Sequence, residues 1–525
     1  MRQFFSSSTG FRTAMCGILM FLAACGSHNR GLHDIVGPQQ DCDRDMFAKN
    51  CRQQDQLAYP PLTENPSFSQ FASFVTQHDG KLWDGDKPLR FIGLHATELH
   101  RIENDIEGPG HFRWPTPWEQ ENWIRALVST GHTVSRIYVL SVRQGKGSAT
   151  APVHVIAPGQ FNEEGFRAFD KMLQLCNQYG LRIIVPVVDN WQWWGGIADY
   201  AAFRGKGEAS FYTDPAIRND FKATLTYLLN RTNTYTGVKY KDDKAILAWE
   251  TGNELRKRTK EWLGDIAAHI RQLDGNHLIA DGTQTVDGTP LDEHGLNDPN
   301  VDIVSNHYYG RDLNPESILR DAAIAKNRKP FIVGEFGLPS PGRAREVLEP
   351  ILQAIVKNNV AGGLVWGFRG HRREGGFYFH AEGNSGIFSY HLPGFPENDS
   401  YEELTVVNLV RNQQAQINQM EVRPLPSPET PALLPIHDPQ RISWLGSSSG
   451  RAYDIIRAPS LKGPWSFVGR DISDGMNRFD YKKGLFKDTI AAAGETYYYR
   501  IRAKNESGMS EFSEPVMTGG KQAAQ

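Results

Sequence analysis

The sequence predicts a (β/α)8 barrel of the TIM type, an α/β fold, followed by a small all-β sandwich of immunoglobulin type. Two observations predict it. Eight short apolar runs alternate with amphipathic helical patterns between residues 66 and 422, and beyond Arg423 the helical patterns give way to short alternating strands. A chain of 525 residues has room for one large domain and one smaller one. With 57 basic against 60 acidic residues, the balance gives no sign of a nucleic-acid surface and argues against a polyanionic partner.

The first element is a leader. Arg2 and Arg12 precede an apolar run from Ala14 to Ala24, which is too short for a permanent membrane span and reads as a secretory signal. Its end, Leu22, Ala23, Ala24, Cys25, resembles the bacterial lipobox. That resemblance implies a leader of residues 1–25, lipidation of Cys25, a polar tether over 26–65, and a lipid-anchored protein of the bacterial cell envelope. Acyl chains bind membranes by about 0.8 kcal/mol per buried methylene, so several would hold the chain firmly. Cys42 and Cys51 lie close enough in sequence to pair in an oxidising compartment. Asp41, Asp43 and Asp45 begin like a calcium loop, but Met46 and Arg52 stand where that loop needs Gly and Glu.

The eight strands begin at Leu89, Thr133, Leu181, Ala245, His277, Val301, Pro330 and Ala361. Between them lie helical patterns such as PWEQENWIRALVSTG, NEEGFRAFDKMLQLCNQYG, DPAIRNDFKATLTYLLN, EWLGDIAAHIRQLD and REVLEPILQAIVKN, with YEELTVVNLVRNQQAQI after the eighth strand. Strands that are apolar on both faces and separated by helices form a parallel sheet, and eight such units close into a barrel whose active site lies at the strand C-termini. Cys176, on one of these helices, reads as an inert core thiol. GKGS from Gly145 lacks the upstream glycine of a phosphate loop and reads as a turn.

At 423–432 the proline density predicts a stiff, extended linker. The strands ISWLGS, YDIIRA, WSFVGR and ETYYYRIRAKNESG follow, within a domain spanning 433–520. This region resembles a fibronectin type III module, with Trp444 in the place of its core Trp, Tyr497 in that of its corner Tyr, and Asn505 to Ser510 as its last turn. The resemblance implies a spacer without chemistry.

The strand ends carry the chemistry. ILAWETGNELR closes on Gly252, Asn253 and Glu254, and FIVGEFG delivers Glu335. Two buried strands that each end in a glutamate suit glycoside cleavage, in which one carboxyl protonates the leaving oxygen and the other attacks the sugar. His307 and Tyr309 end DIVSNHYY, and Trp366 ends GGLVW. No histidine has a partner at metal-ligand spacing, so neither metal nor cofactor is expected.

From about Phe68 to Ile417 these residues resemble glycoside hydrolase family 5, a clan A retaining family, in its β-mannanase-like branch. The resemblance implies Glu254 as acid/base, Glu335 as nucleophile, Arg136 as the cation that keeps Glu335 ionised, and Asn253 on the sugar 2-hydroxyl. It further implies Tyr309 as a donor to the nucleophile, His307 as a supporting residue, and Trp366 as the floor under the ring. After the third strand, Trp191, Trp193 and Trp194 follow Asp189 and Asn190, a stretch similar to that of β-mannanases. Flat indoles also stack on sugars. The expectation is hydrolysis of β-1,4-mannan by a monomer. A β-1,4-glucanase, an exo-β-mannosidase and a non-catalytic glycan-binding lipoprotein are the alternatives.

Trp114 and Trp118 are expected to add stacking surface. Leu255 and His95 depart from the family pattern, which more often has Pro and Asn there. The long connection 369–400 is expected to wall one end of the cleft.

Overall fold

The computed structural model describes residues 69–103, 111–144, 151–380, 389–395, 402–475 and 483–519. The leader with Cys25, the tether with Cys42 and Cys51, and the GKGS turn lie outside the described residues.

The first element is one that the sequence reading missed. Strands β1 (Val75–His78), β2 (Lys81–Asp84) and β3 (Lys87–Leu89) form an antiparallel sheet. Two Asp-Gly turns join them, and Asp79, Gly80 and Gly85 take up positive φ. Val75 and Leu82 are buried against Phe91, Val134, Ile184, Leu247 and Ile332, so this sheet packs on the apolar barrel interior.

The barrel strands are β4 (Phe91–Leu94), β5 (Val134–Arg136), β8 (Arg182–Pro186), β9 (Ile246–Glu250), β10 (Leu278–Asp281), β11 (Ile303–Tyr308), β12 (Phe331–Phe336) and β13 (Gly362–Val365). A small hairpin, β6 (Val155–Ala157) and β7 (Gln160–Phe161), interrupts the series. The eight strands pair in the order β4-β13-β12-β11-β10-β9-β8-β5, every pair parallel. The ring closes beyond the ladder through Ala96 N–H to Arg136 O at 2.9 Å and Ser135 Oγ to Leu94 O at 2.8 Å. All eight strands are buried throughout, as expected when helices cover one face and the barrel core fills the other.

The helices are α1 (Pro117–Ser129), α2 (Glu163–Tyr179), α3 (Ile197–Ala202), α4 (Ser210–Thr213), α5 (Pro215–Asn230), α6 (Lys260–Leu273), α7 (Glu293–Asn297), α8 (Pro315–Ala325), α9 (Ala344–Lys357) and α10 (Glu403–Ile417). Local sequence sets their ends. Thr116 and Glu119 form a capping box in front of Pro117, and Gly180 ends α2 in the left-handed conformation. Cys176 is buried in the core, where burial pushes its thiol pKa well up.

The C-terminal region is all β. β14 (Ala432–Leu433) pairs with β15 (Trp444–Leu445). A second sheet holds β16 (Ala452–Ala458), β17 (Ser466–Ile472), β18 (Tyr498–Asn505), β19 (Gly508–Met509) and β20 (Val516–Met517). Trp444, Tyr453, Ile455, Tyr499 and Ile501 form its core.

This module does not hang on a free linker. Leu425 is buried, and the carbonyls of Leu425 and Pro426 accept from Ser507 and Asn505. Across the seam, Asn122 on α1 donates to Gly446 O at 2.9 Å. The buried His371 ring, on the connection after β13, bridges Asn122 Oδ1 at 2.8 Å and Asp474 Oδ2 at 2.9 Å. The module is thus packed on the barrel connection.

Candidate active site

A cleft of about 800 Å³ opens at the C-terminal ends of the barrel strands. Among its lining residues are Glu254, Glu335, Asn253, His307, Tyr309, Trp366, Trp191 and Trp193. Eight of the ten residues expected there therefore line one cavity, and Arg136 lies directly beneath, bonded to Glu335 and Asn253.

Glu335 sits near the end of β12. Arg136 Nη1 donates to its Oε1, and the Tyr309 hydroxyl donates to its Oε2 at 2.8 Å. His95 Nε2 lies 3.3 Å from the same Oε1. Burial pushes this carboxyl's pKa up, but the charges of His307 and Arg136 outweigh burial and hold it well below the usual carboxylate range. The group is thus kept as an anion, the state a nucleophile needs.

Glu254 follows β9 on a tight polar loop, with φ of 57°, in the left-handed region. Such a conformation costs a non-glycine residue roughly 1–3 kcal/mol and persists only where neighbours enforce it. They do here: Asn253 N–H donates to Val188 O at 2.7 Å and Leu255 N–H to Gly282 O at 2.9 Å, pinning the loop on both sides. The latter bond accounts for Leu255, because proline has no N–H to donate. His307 Nδ1 lies 2.9 Å from Glu254 Oε1, and Trp191 Nε1 donates to Oε2.

His307 is buried between both carboxylates, which outweigh burial and raise its pKa. One ligand atom each from Glu254, His307 and Glu335 lie within 4.8 Å of one another. That spacing would also admit a metal ion, but here His307 Nδ1 joins the two carboxyls, 2.9 Å from Glu254 and 3.5 Å from Glu335.

Asn253 is oriented unambiguously by its partners. Its Oδ1 accepts from Arg136 Nη2 at 2.9 Å, so its Nδ2 is the atom that donates to Asp189 Oδ1 at 3.0 Å. Asp189 also accepts from Tyr138 at 2.8 Å, and burial pushes its pKa up to about 7. Arg136 Nε reaches Glu250 Oε2 at 2.5 Å. His95, buried and with its pKa lowered to about 4, stays neutral and receives Arg136 Nη1 on Nε2 at 2.8 Å.

Trp194, expected to bind substrate or support the site, is buried, packed edge-on against Tyr138, and supports the cleft without lining it. Two expectations are corrected. Trp118 is buried at the seam with the C-terminal module, beside Glu429 and Ser447. Trp114 packs edge-on against His154. Neither Trp118 nor Trp114 offers a stacking surface in the cleft.

Glu250, Tyr138, Glu103 and His380 were missed. Glu250 was visible as the polar end of ILAWE. His380 belongs to the connection 369–400, whose expected place at the cleft it occupies.

Comparison with known proteins agrees with this geometry. A family profile described as GH family 5 beta-mannosidase-like matches residues 121–314. Mannan endo-1,4-beta-mannosidase 7 of Arabidopsis thaliana is 31% identical over 268 residues, 40% of this chain and 61% of that one. A second Arabidopsis thaliana sequence, named for mannan endo-1,4-beta-mannosidase 4, is 30% identical over 312 residues, 51% of this chain and 73% of its own length. The chain belongs to glycoside hydrolase family 5. This family 5 protein spans between a third and about three fifths of the first three curated relatives it matches. The solved endo-1,4-beta-mannanase of Rhizomucor miehei superposes with a TM-score of 0.52 at 20% identity, covering 66% of this family 5 chain and 100% of that one, which shows the shared barrel fold.

Proposed function

We propose that this protein hydrolyses β-1,4-mannosidic bonds of mannan or manno-oligosaccharides with retention of anomeric configuration. The observation that carries the reading is the approach of the Glu254 and Glu335 carboxyls to within 4.8 Å. Retaining glycosidases place this pair about 5 to 5.5 Å apart, whereas inverting ones leave roughly 6.5 to 9.5 Å for a water.

In the first step a Glu335 oxygen bonds to the anomeric carbon, the glycosidic C–O bond breaks, and Glu254 gives its proton to the departing oxygen. Arg136 and Tyr309 keep Glu335 ionised and aimed. In the second step Glu254 takes a proton from water, whose oxygen bonds to the anomeric carbon as the Glu335 ester breaks. Asn253 donates to the 2-hydroxyl as charge develops on the ring, and Trp366 lies beneath it. Mannan is favoured over glucan by the Asn190-Trp191 stretch beside Glu254 and by the names of the curated relatives.

We further propose that Cys25 carries a lipid anchor in a bacterial envelope, supported by the Leu22–Cys25 tetrad, and that the C-terminal module is fibronectin type III-like, supported by its buried Trp444 and antiparallel strands. No helix among the described residues is long and apolar enough to cross a membrane. The test is NMR of the first product anomer from mannohexaose, with Glu335→Ala in parallel. β-Product that vanishes in the variant is expected; α-product, or cleavage that survives Glu335→Ala, rejects the mechanism.

A further inference from the structure

Glu103, on the connection after β4, is buried at 3% exposure yet lines the cleft. Its two oxygens serve two other loops. Oε2 accepts from Trp193 Nε1 at 2.7 Å and Trp194 Nε1 at 2.8 Å, both on the loop after β8. Oε1 accepts from Arg369 Nη2 at 2.6 Å and lies 3.4 Å from His380 Nδ1, both on the connection after β13. A carboxylate with this many donors gathered on it is a fastener: turning it would leave buried N–H groups unpaired.

What it fastens matters for sugar binding. Trp193 is 43% exposed, and two residues away on the same loop Trp191 donates to Glu254 instead. The two indoles are therefore held on different sides. Trp191 belongs to the acid/base, and hence to the departing sugar. Trp193 is tied through Glu103 and Trp194 to Tyr138, which lies 6.1 Å from Trp366. An exposed indole on a loop has several rotamers available, and stacking on it is effective only if one is selected beforehand.

We propose that Glu103 is a positioning residue that locks Trp193 as the platform for the sugar next to the one over Trp366, and so sets affinity for oligosaccharides of two or more glycone rings. This rests on the glycosidase reading above. It predicts a defect confined to longer substrates.

The test compares Glu103→Gln, Trp193→Phe, Trp193→Ala and the double variant Glu103→Gln/Trp193→Phe. KM and kcat are measured on an aryl β-mannoside and on mannotriose to mannopentaose. Glu103→Gln and Trp193→Phe, which keeps a ring but no N–H, are each expected to raise oligosaccharide KM on the order of tenfold, with kcat and the aryl glycoside little changed. The double variant should be no worse than either single one. Additive losses, equal losses on the aryl glycoside, or a Trp193→Phe enzyme that binds oligosaccharides like wild type overturn the proposal, the last even if Glu103→Gln does not fold.

Quenching of indole fluorescence by manno- and cello-oligosaccharides in Glu335→Ala separates the two claims. Binding of cello- but not manno-oligosaccharides rejects the mannan reading while the same comparison of variants proceeds on cello-oligosaccharides. Binding of neither rejects the platform.

Discussion

Arg136 Nε lies 2.5 Å from Glu250 Oε2, while Nη1 of the same guanidinium holds Glu335. One buried cation thus serves two carboxylates on different strands, and its rigid planar fork aims a separate N–H at each. Arg136→Lys keeps the charge and loses the fork. Its kcat/KM is expected to fall by roughly 10²–10³, near the loss seen when a preorganised donor is removed from an active site. Glu250→Gln, which removes the carboxylate that balances half of the cation, is expected to cost on the order of 3 kcal/mol in urea unfolding.

Tyr309 contributes one charge-assisted hydrogen bond to Glu335 and rests in a half-buried position. Tyr309→Phe is expected to lower kcat by roughly 10- to 100-fold, corresponding to about 1.5–3 kcal/mol for such a bond, with little change in Tm. Single-turnover measurement of glycosyl-enzyme formation would locate the loss in the first step.

Asp189 gives the protein a pH-dependent stability. In the unfolded chain the group ionises near 3.8, whereas in the fold burial raises this to about 7. The fold therefore retains a proton that the unfolded chain has released, and stability declines as pH rises from about 4 to 7, then levels. Asp189→Asn should show a flatter Tm profile across that window. A profile parallel to wild type would mean the folded group ionises normally.

Leu255 fills a buried site, and its N–H donates to Gly282 O. Leu255→Pro deletes that donor beside Glu254. A Tm loss corresponding to roughly 3 kcal/mol or more is expected here, together with reduced kcat, since the strained Glu254 loop loses one of its two pins.

Trp118 and Trp193 should behave oppositely. Trp118→Ala opens a cavity in the seam with the C-terminal module and is expected to cost about 3–5 kcal/mol with KM unchanged. Trp193→Ala should raise KM with Tm nearly constant. Oligosaccharide kinetics and thermal melts of both variants decide this.

The barrel was legible because its strands are buried on both faces and its helices are strongly amphipathic, signals that survive in any sequence of this architecture. The short N-terminal sheet was missed although Asp79-Gly80 and Asp84-Gly85 announce its turns, since its strands are only three or four residues long. Residues at strand ends could be assigned to the cleft by position alone. Glu103 could not, for its importance lies in contacts with residues 90 and 266 positions away that no local pattern encodes. Trp118 and Trp114 were misplaced for the complementary reason: an indole looks the same in a list of residues whether it faces sugar or core.

The seam at His371 makes each side depend on the other's atoms. Here Asp474 and the carbonyl of Gly446 complete a polar cluster begun by Asn122 and His371 of the barrel. Two residues before His371, Arg369 reaches Glu103 at the cleft. Cutting the module away would strand a buried imidazole two residues from the Arg369 that holds Glu103, so barrel and module are coupled parts of one fold.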